Sequence, residues 1–113
     1  MLKKGNRLTK KKDFEIVFKK GESVKKDFLL FQMVKNNLAN SRFGFVVSKK
    51  ISKKATVRNK IKRRLQSAVE RAMPILSSKK SHDVVIITLA GIEKKEFLNI
   101  KETVAQVFKS KFR

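Results

Sequence analysis

The sequence predicts a single α+β domain in which one β-sheet packs against helices, and three observations lead there. At 113 residues, 41% of them hydrophobic, the chain can bury one core, and a second domain is not expected. Helical and strand patterns follow one another in the order helix, strands, helix, strand, helix. The run Asp83-Val84-Val85-Ile86-Ile87-Thr88-Leu89 is β-branched through its middle, as in strands buried on both faces. No repeat, linker or low-complexity tract interrupts residues 1–113, which are expected to form one domain.

A first helix, about Lys10 to Lys20, follows from the helical spacing of Phe14, Val17 and Phe18, with Thr9 as its N-cap and Gly21 as its stop. Residues 22–25 suit a short edge strand. The segment Phe28-Leu29-Leu30-Phe31-Gln32-Met33-Val34 is short, apolar and aromatic, which favours a strand over a helix. Asn36 to Ser41 is turn chemistry, and Arg42-Phe43-Gly44-Phe45-Val46-Val47 reads as the returning strand of an antiparallel hairpin. Gly44, lone within that strand, marks a bulge or the close approach of another element.

A cationic loop leads next to a second helix. Its apolar residues Val57, Ile61, Leu65, Ala68 and Ala72 step by three or four and form one stripe, and Pro74 ends it. Arg58 and Lys62 fall on one flank of that stripe, Lys60 and Arg64 on the other, and Arg63 points away from the core. Ser77 to Ser81 reads as a flexible loop before the buried strand. The last helix carries Phe97, Ile100, Val104, Val107 and Phe108 on one stripe, with Glu93 and Glu96 at its start and Lys109, Lys111 and Arg113 at its end, a polarity matched to the helix dipole.

Charge narrows the function. The net charge of +21 comes from 30 Lys and Arg against 9 Asp and Glu, too one-sided for a protein that handles only small anionic metabolites. No cysteine is present, so disulfide frameworks and thiolate metal sites are excluded and a reducing cytoplasm suits the chain. The start Met1-Leu2-Lys3-Lys4 lacks the apolar run of a signal peptide, and no stretch approaches the roughly 18 apolar residues of a membrane span. A cytoplasmic protein away from the membrane is expected.

Catalytic chemistry finds little to work with. His82 is the single histidine, and without a positioned second group it reads as structural or solvated. Asp13 and Glu15 lie on different faces of the first helix and do not make a metal pair. No catalytic and no metal-ligating residue is assigned, and Gly44 lacks the spacing of a phosphate-cradling loop.

Between Asp27 and Glu70 no acidic residue occurs for 42 positions, and 9 of the 16 residues from Lys49 to Arg64 are basic. A solvated face needs no such one-signed cluster, which costs stability by self-repulsion. Its counter-charge must come from another molecule, and a nucleic-acid backbone is the densest source. Asn59 can hydrogen-bond a base edge or a sugar hydroxyl, while arginines grip phosphates or stack on bases. All aromatic work falls to 9 Phe, since Trp and Tyr are absent. Phe14, Phe18 and Phe31 are open to two readings at this point, core packing or accessible faces for base stacking.

The run from Val47 to Arg63, Val-Ser-Lys-Lys-Ile-Ser-Lys-Lys-Ala-Thr-Val-Arg-Asn-Lys-Ile-Lys-Arg, strongly resembles the signature of the protein subunit of bacterial ribonuclease P. The resemblance extends to Arg7-Leu8, Asp13-Phe14, Val17 to Gly21, Arg42 to Phe45, the strand from Asp83 to Ile87 and the last helix, and so covers nearly the whole chain. It implies an α/β sandwich, a four-stranded mixed sheet with three helices and a left-handed βαβ crossover. It also implies a protein that assists a catalytic RNA in cleaving precursor tRNA at the mature 5′ end, with magnesium held mainly by the RNA and one protein monomer per RNA.

Carried over by position, Lys49, Lys50, Lys53, Lys54, Arg58, Asn59, Lys60, Lys62 and Arg63 match the motif that contacts the RNA subunit. Phe14, Phe18 and Phe31 match aromatic positions lining the cleft for the precursor tRNA 5′ leader. Lys60 and Gln66 stand where the family commonly has arginine, and Phe31 where many members have tyrosine. The competing expectations are a ribosomal or RNA-chaperone-like protein and a self-sufficient nuclease, and both are separated from the first by a precursor tRNA cleavage assay with and without ribonuclease P RNA.

Overall fold

The computed structural model describes residues 2–112. Its principal elements, in chain order, are helix α1 (Lys11–Lys20), strands β1 (Glu22–Lys26), β2 (Leu29–Lys35) and β3 (Arg42–Val46), helix α2 (Ala55–Ala72), strand β4 (His82–Thr88) and helix α3 (Phe97–Lys111). The strands form one four-stranded sheet in the order β1-β2-β4-β3. β1 pairs antiparallel with β2, β2 antiparallel with β4, and β3 parallel with β4.

The expected hairpin between residues 28–34 and 42–47 does not form, because β4 lies between its two arms. β4 is apolar on both faces, and a hairpin would have left it at an edge. The connection over residues 36–41 instead steps across the end of β4, and Asn36 anchors it. Its Nδ2 donates to Asp83 Oδ1 at 2.8 Å and to the Asn40 carbonyl at 3.1 Å, while its Oδ1 accepts from the Leu38 N–H. Asn37 takes the left-handed conformation, φ 57°, that the step requires. The chain then returns from β3 to β4 through α2, a crossover between adjacent parallel strands.

Strand alternation sorts the sheet into two faces. Leu29, Phe31 and Met33 of β2, Phe43 of β3, and Val84 and Ile86 of β4 face α2 and α3, where Ile61, Leu65, Val69, Ile100, Val104 and Phe108 complete the larger core. The opposite face is thinner. Leu8, Val17 and Val85 are buried there, with Phe14, Val34, Val46 and Ile87 partly covered around them.

Several boundaries differ from expectation for local reasons. Lys10 rather than Thr9 is the N-cap of α1, and no side chain caps it, so the helix is held by packing more than by its own end. Gly21 does close α1, with its N–H on the Val17 carbonyl at 2.8 Å. Its φ is −74°, so the reason for glycine is space: a Cβ would stand 3.2 Å from the Met33 carbonyl oxygen. Glu96 caps α3 in a reciprocal capping box with Asn99, whereas Glu93 sits in a separate turn, Ile92–Lys94. The segment 77–81, expected to be a flexible loop, is tied down, because Lys79 Nζ donates to the carbonyls of Lys109 and Phe112 at 3.1 and 2.8 Å and caps the end of α3. Arg113 lies outside the described residues.

Candidate nucleic-acid interface

Two surfaces carry the candidate residues. The first is the loop after β3 and the outer side of α2. Val47 is buried and Ile51 packs on the larger core, so the apolar residues of the loop point inward and Lys49, Lys50, Lys53 and Lys54 are left exposed. The loop is tightened by its own bonds, Ile51 N–H to the Ser48 carbonyl at 3.1 Å and Lys54 N–H to Ser52 Oγ at 3.2 Å. Arg58 closes it. Its Nη1 donates to the carbonyls of Ser52 and Lys53, both at 2.9 Å, so the guanidinium expected to grip RNA also orders the lysines ahead of it.

On α2, Ile61, Leu65, Ala68, Val69 and Ala72 are buried and Val57 is partly covered, which is the expected stripe with Val69 added. Asn59, Lys60 and Arg63 are exposed, and Arg58, Lys62 and Arg64 half-buried. The first turn of α2 holds no acid, and no side chain caps it. Cations gathered at the positive end of a helix repel it, a cost that an external polyanion would offset. Arg42, at the opposite end of β3, is in the contrary situation. It makes a bidentate pair with Asp83 at 2.6 and 2.8 Å and reaches Asp13 at 3.4 Å. The hydrogen bond to Asp83 raises its pKa against the opposing effect of burial.

The second surface is the thinner face of the sheet beside α1. The Phe14 ring lies over Gly44, where a Cβ would come within 2.7 Å of Phe14 Cε1, so Gly44 marks the close approach of a helix. Phe14 is half-buried, and Phe18 is 47% exposed with its ring centroid 6.4 Å from that of Phe14. Phe31 does not join them. It is 0% exposed and points into the larger core, so its assignment to leader binding is corrected: the pleat turns position 31 away from α1, and no base can reach its ring. The residues that do share the face with Phe14 are Leu30, Gln32 and Val34 of β2, Val46 of β3 and Ile87 of β4, all half-buried. They were missed because an apolar strand does not declare which parity faces which layer. Gln32, the one polar residue in the run 28–34, was the available signal, and it donates to Ser23 Oγ at 3.3 Å.

Of the two readings offered for His82, structural or solvated, burial removes the solvated one. His82 is buried beside Phe112, with ring centroids 4.9 Å apart, and its Nδ1 donates to the Lys80 carbonyl at 2.8 Å. Desolvation lowers its pKa, opposed by that hydrogen bond. Among the described residues no group of three or more His, Cys, Asp or Glu could hold a metal ion, and Asp13 and Asp83 are both turned to Arg42. The donor set therefore does not fit a resident metal on the described part of this chain. A cavity of about 740 Å³, lined in part by Lys20, Lys35, His82 and Lys111, lies at the other end of the sheet from the cationic loop. No described helix is long and apolar enough to cross a membrane.

An α+β domain with a cationic loop and helix start free of acids from Lys49 to Arg64, and a second half-open face bearing an exposed aromatic ring, has the make-up of a small RNA-binding protein. The family model described as Ribonuclease P matches residues 2–111. The chain is 36% identical to the ribonuclease P protein component of Syntrophomonas wolfei over 109 residues, covering 96% of this chain and 89% of that protein. The Bacillus cereus protein component is also 36% identical, with 96% and 92% covered. Among solved structures, the ribonuclease P protein of Thermotoga maritima superposes with a TM-score of 0.81 at 30% identity, covering 91% of this chain and 94% of that one. That of Staphylococcus aureus gives 0.80 at 28% identity, with 92% and 93% covered. The chain belongs to the ribonuclease P protein family, the protein components of a tRNA-processing ribonucleoprotein.

Proposed function

We propose that this chain binds the catalytic RNA of ribonuclease P through the loop at residues 47–54 and α2, and the single-stranded 5′ leader of precursor tRNA on the α1 side of the sheet. It thereby assists magnesium-dependent removal of the leader. The RNA-subunit contacts are Lys49, Lys50, Lys53, Lys54, Asn59, Lys60, Lys62 and Arg63, with Arg58 both contacting RNA and ordering the loop. The leader contacts are Phe14 and Phe18. Phe31 is withdrawn from that set, and Leu30, Gln32 and Ile87 take its place as neighbours of the two rings.

The observation that carries this reading is the acid-free run of 9 basic residues between Lys49 and Arg64, set on a loop and helix whose larger apolar side chains, Val47, Ile51, Ile61 and Leu65 among them, turn inward. Such a surface neutralises phosphates and holds RNA segments close to one another. Its contribution is to affinity and to metal dependence, while bond breaking and the magnesium that supports it belong to the RNA. The protein acts in the cytoplasm as one monomer per RNA.

The test is cleavage of precursor tRNA at low magnesium. Ribonuclease P RNA mixed with this protein should cut at the mature 5′ end under conditions where the RNA alone is slow, and the protein alone should not cut. No rescue by the protein would overturn the reading in favour of a ribosomal or chaperone-like role. Cleavage by RNA-free protein, abolished in His82→Ala, would overturn it in favour of a nuclease.

A further inference from the structure

The flank of α2 opposite Arg58 and Lys62 has its own geometry. Lys60, Arg64, Ser67 and Arg71 recur every three or four residues and form one stripe about 16 Å long, which runs toward the first residue of α3, Phe97. These residues and Arg63 line a groove of about 360 Å³. No carboxylate is among them. The nearest acid in sequence to Phe97, Glu96, is occupied in the capping box with Asn99. Arg71 Cζ stands 5.1 Å from the centre of the Phe97 ring, and Phe97 is itself seated on the edge of the larger core.

We propose that this groove binds one unpaired nucleotide of the ribonuclease P RNA, its base stacked on the Arg71 guanidinium and its flanking phosphates held by Lys60 and Arg64. The inference rests on the proposed partnership with that RNA and adds a site to it. A groove lined by four cations, a serine and one aromatic ring is complementary to an anion that carries a flat apolar face, which describes a nucleotide and not a fatty or acidic peptide surface. Continuity favours the RNA subunit over the leader as its source. Lys60 and Arg63 belong to both this groove and the α2 surface, whereas the leader face lies across the sheet beside α1. The Phe97 ring holds the guanidinium in place before binding, which lowers the ordering cost of a stacked contact.

The experiment uses the reconstituted complex of protein, ribonuclease P RNA and precursor tRNA. Arg71→Ala and Phe97→Leu should each weaken RNA-subunit affinity about tenfold, the size of one lost base stack. Arg71→Lys should restore the salt dependence of binding without restoring that affinity, because ammonium keeps the charge and loses the planar face. Lys60→Ala with Arg64→Ala should instead flatten the log-log salt slope by about 1.5 to 2. Since the chain has no cysteine, Ser67→Cys provides a unique thiol for an iron chelate, whose hydroxyl radicals should cut the RNA subunit at an unpaired segment. Thermal melts separate misfolding from lost contact, and Arg71→Ala, at an exposed position, remains informative if Phe97→Leu unfolds. Affinities of Arg71→Ala and Arg71→Lys within twofold of the parent would overturn the site, as would radical cuts confined to paired RNA or to the leader. Should the parent protein itself fail to support cleavage, the partnership fails; should it succeed while the groove variants match it, the groove alone fails.

Discussion

At the scale of single residues, packing assigns roles that side-chain chemistry leaves open. Gly44 is small because Phe14 occupies the space above it. Gly44→Ala should cost about 1–3 kcal/mol in urea unfolding by overpacking, and adding Phe14→Leu should recover part of that loss. If Gly44→Ala melts with the parent, the ring does not rest where the structure puts it. His82 gives a pH dependence of definite sign. Its folded pKa is lowered from 6.5, chiefly by burial, with Lys35 lowering it further and the Lys80 carbonyl and Glu22 opposing. As pH falls through about 6.5 the unfolded chain takes up a proton that the folded chain resists. Stability should therefore decline from neutral pH downward, by at most about 1.4 kcal/mol per pH unit for one proton. Comparing pH-dependent unfolding of the parent and His82→Gln checks it, since the variant should show a shallower decline between pH 7 and 5.5.

At the scale of elements, one alternation and one hydrogen-bonded loop decide which candidates can touch RNA. Phe18 and Phe31 carry the same ring on different elements, and their variants should separate two properties. Phe31→Ala should destabilise the fold by about 3–5 kcal/mol, since it empties a fully buried site. Phe18→Ala should leave the unfolding midpoint nearly unchanged and weaken binding of a precursor tRNA with a leader about tenfold, with little effect on a leaderless tRNA. Equal losses on both substrates would contradict the leader assignment. For the cationic loop, Arg58 is bonded to two backbone carbonyls. Arg58→Ala should therefore speed amide exchange across residues 48–54 as well as lower RNA-subunit affinity. Unchanged exchange with lowered affinity would reduce Arg58 to a contact residue.

At the scale of the whole molecule, the net charge of +21 on 113 residues makes RNA association an ion-exchange reaction. If six or more of the nine basic residues from Lys49 to Arg64 neutralise phosphates, log affinity should fall with log salt with a slope of about −4 or steeper. A nearly flat plot of filter-binding affinity against salt would contradict the interface. The two surfaces differ in kind: one is the cationic loop and α2, the other is a sheet face with an aromatic edge. On the proposed assignment, one domain of this size holds two RNA segments on different elements without a linker.

What the chain declares by itself is whatever repeats locally. The stripe of α2, the stripe of α3, the β-branched run of β4 and the cationic cluster all follow from local spacing and charge, and the resemblance to the ribonuclease P protein subunit is carried by the run from Val47 to Arg63 together with short motifs along nearly the whole chain. The tertiary structure alone decided that β4 separates β2 from β3, that Phe31 faces the larger core while Leu30 and Gln32 face α1, and that Arg71 meets Phe97. The physical reason is the same in each case. Strand order and strand parity are chosen by the total apolar area buried on both faces of the sheet, a sum over segments up to 59 residues apart that no window of sequence contains.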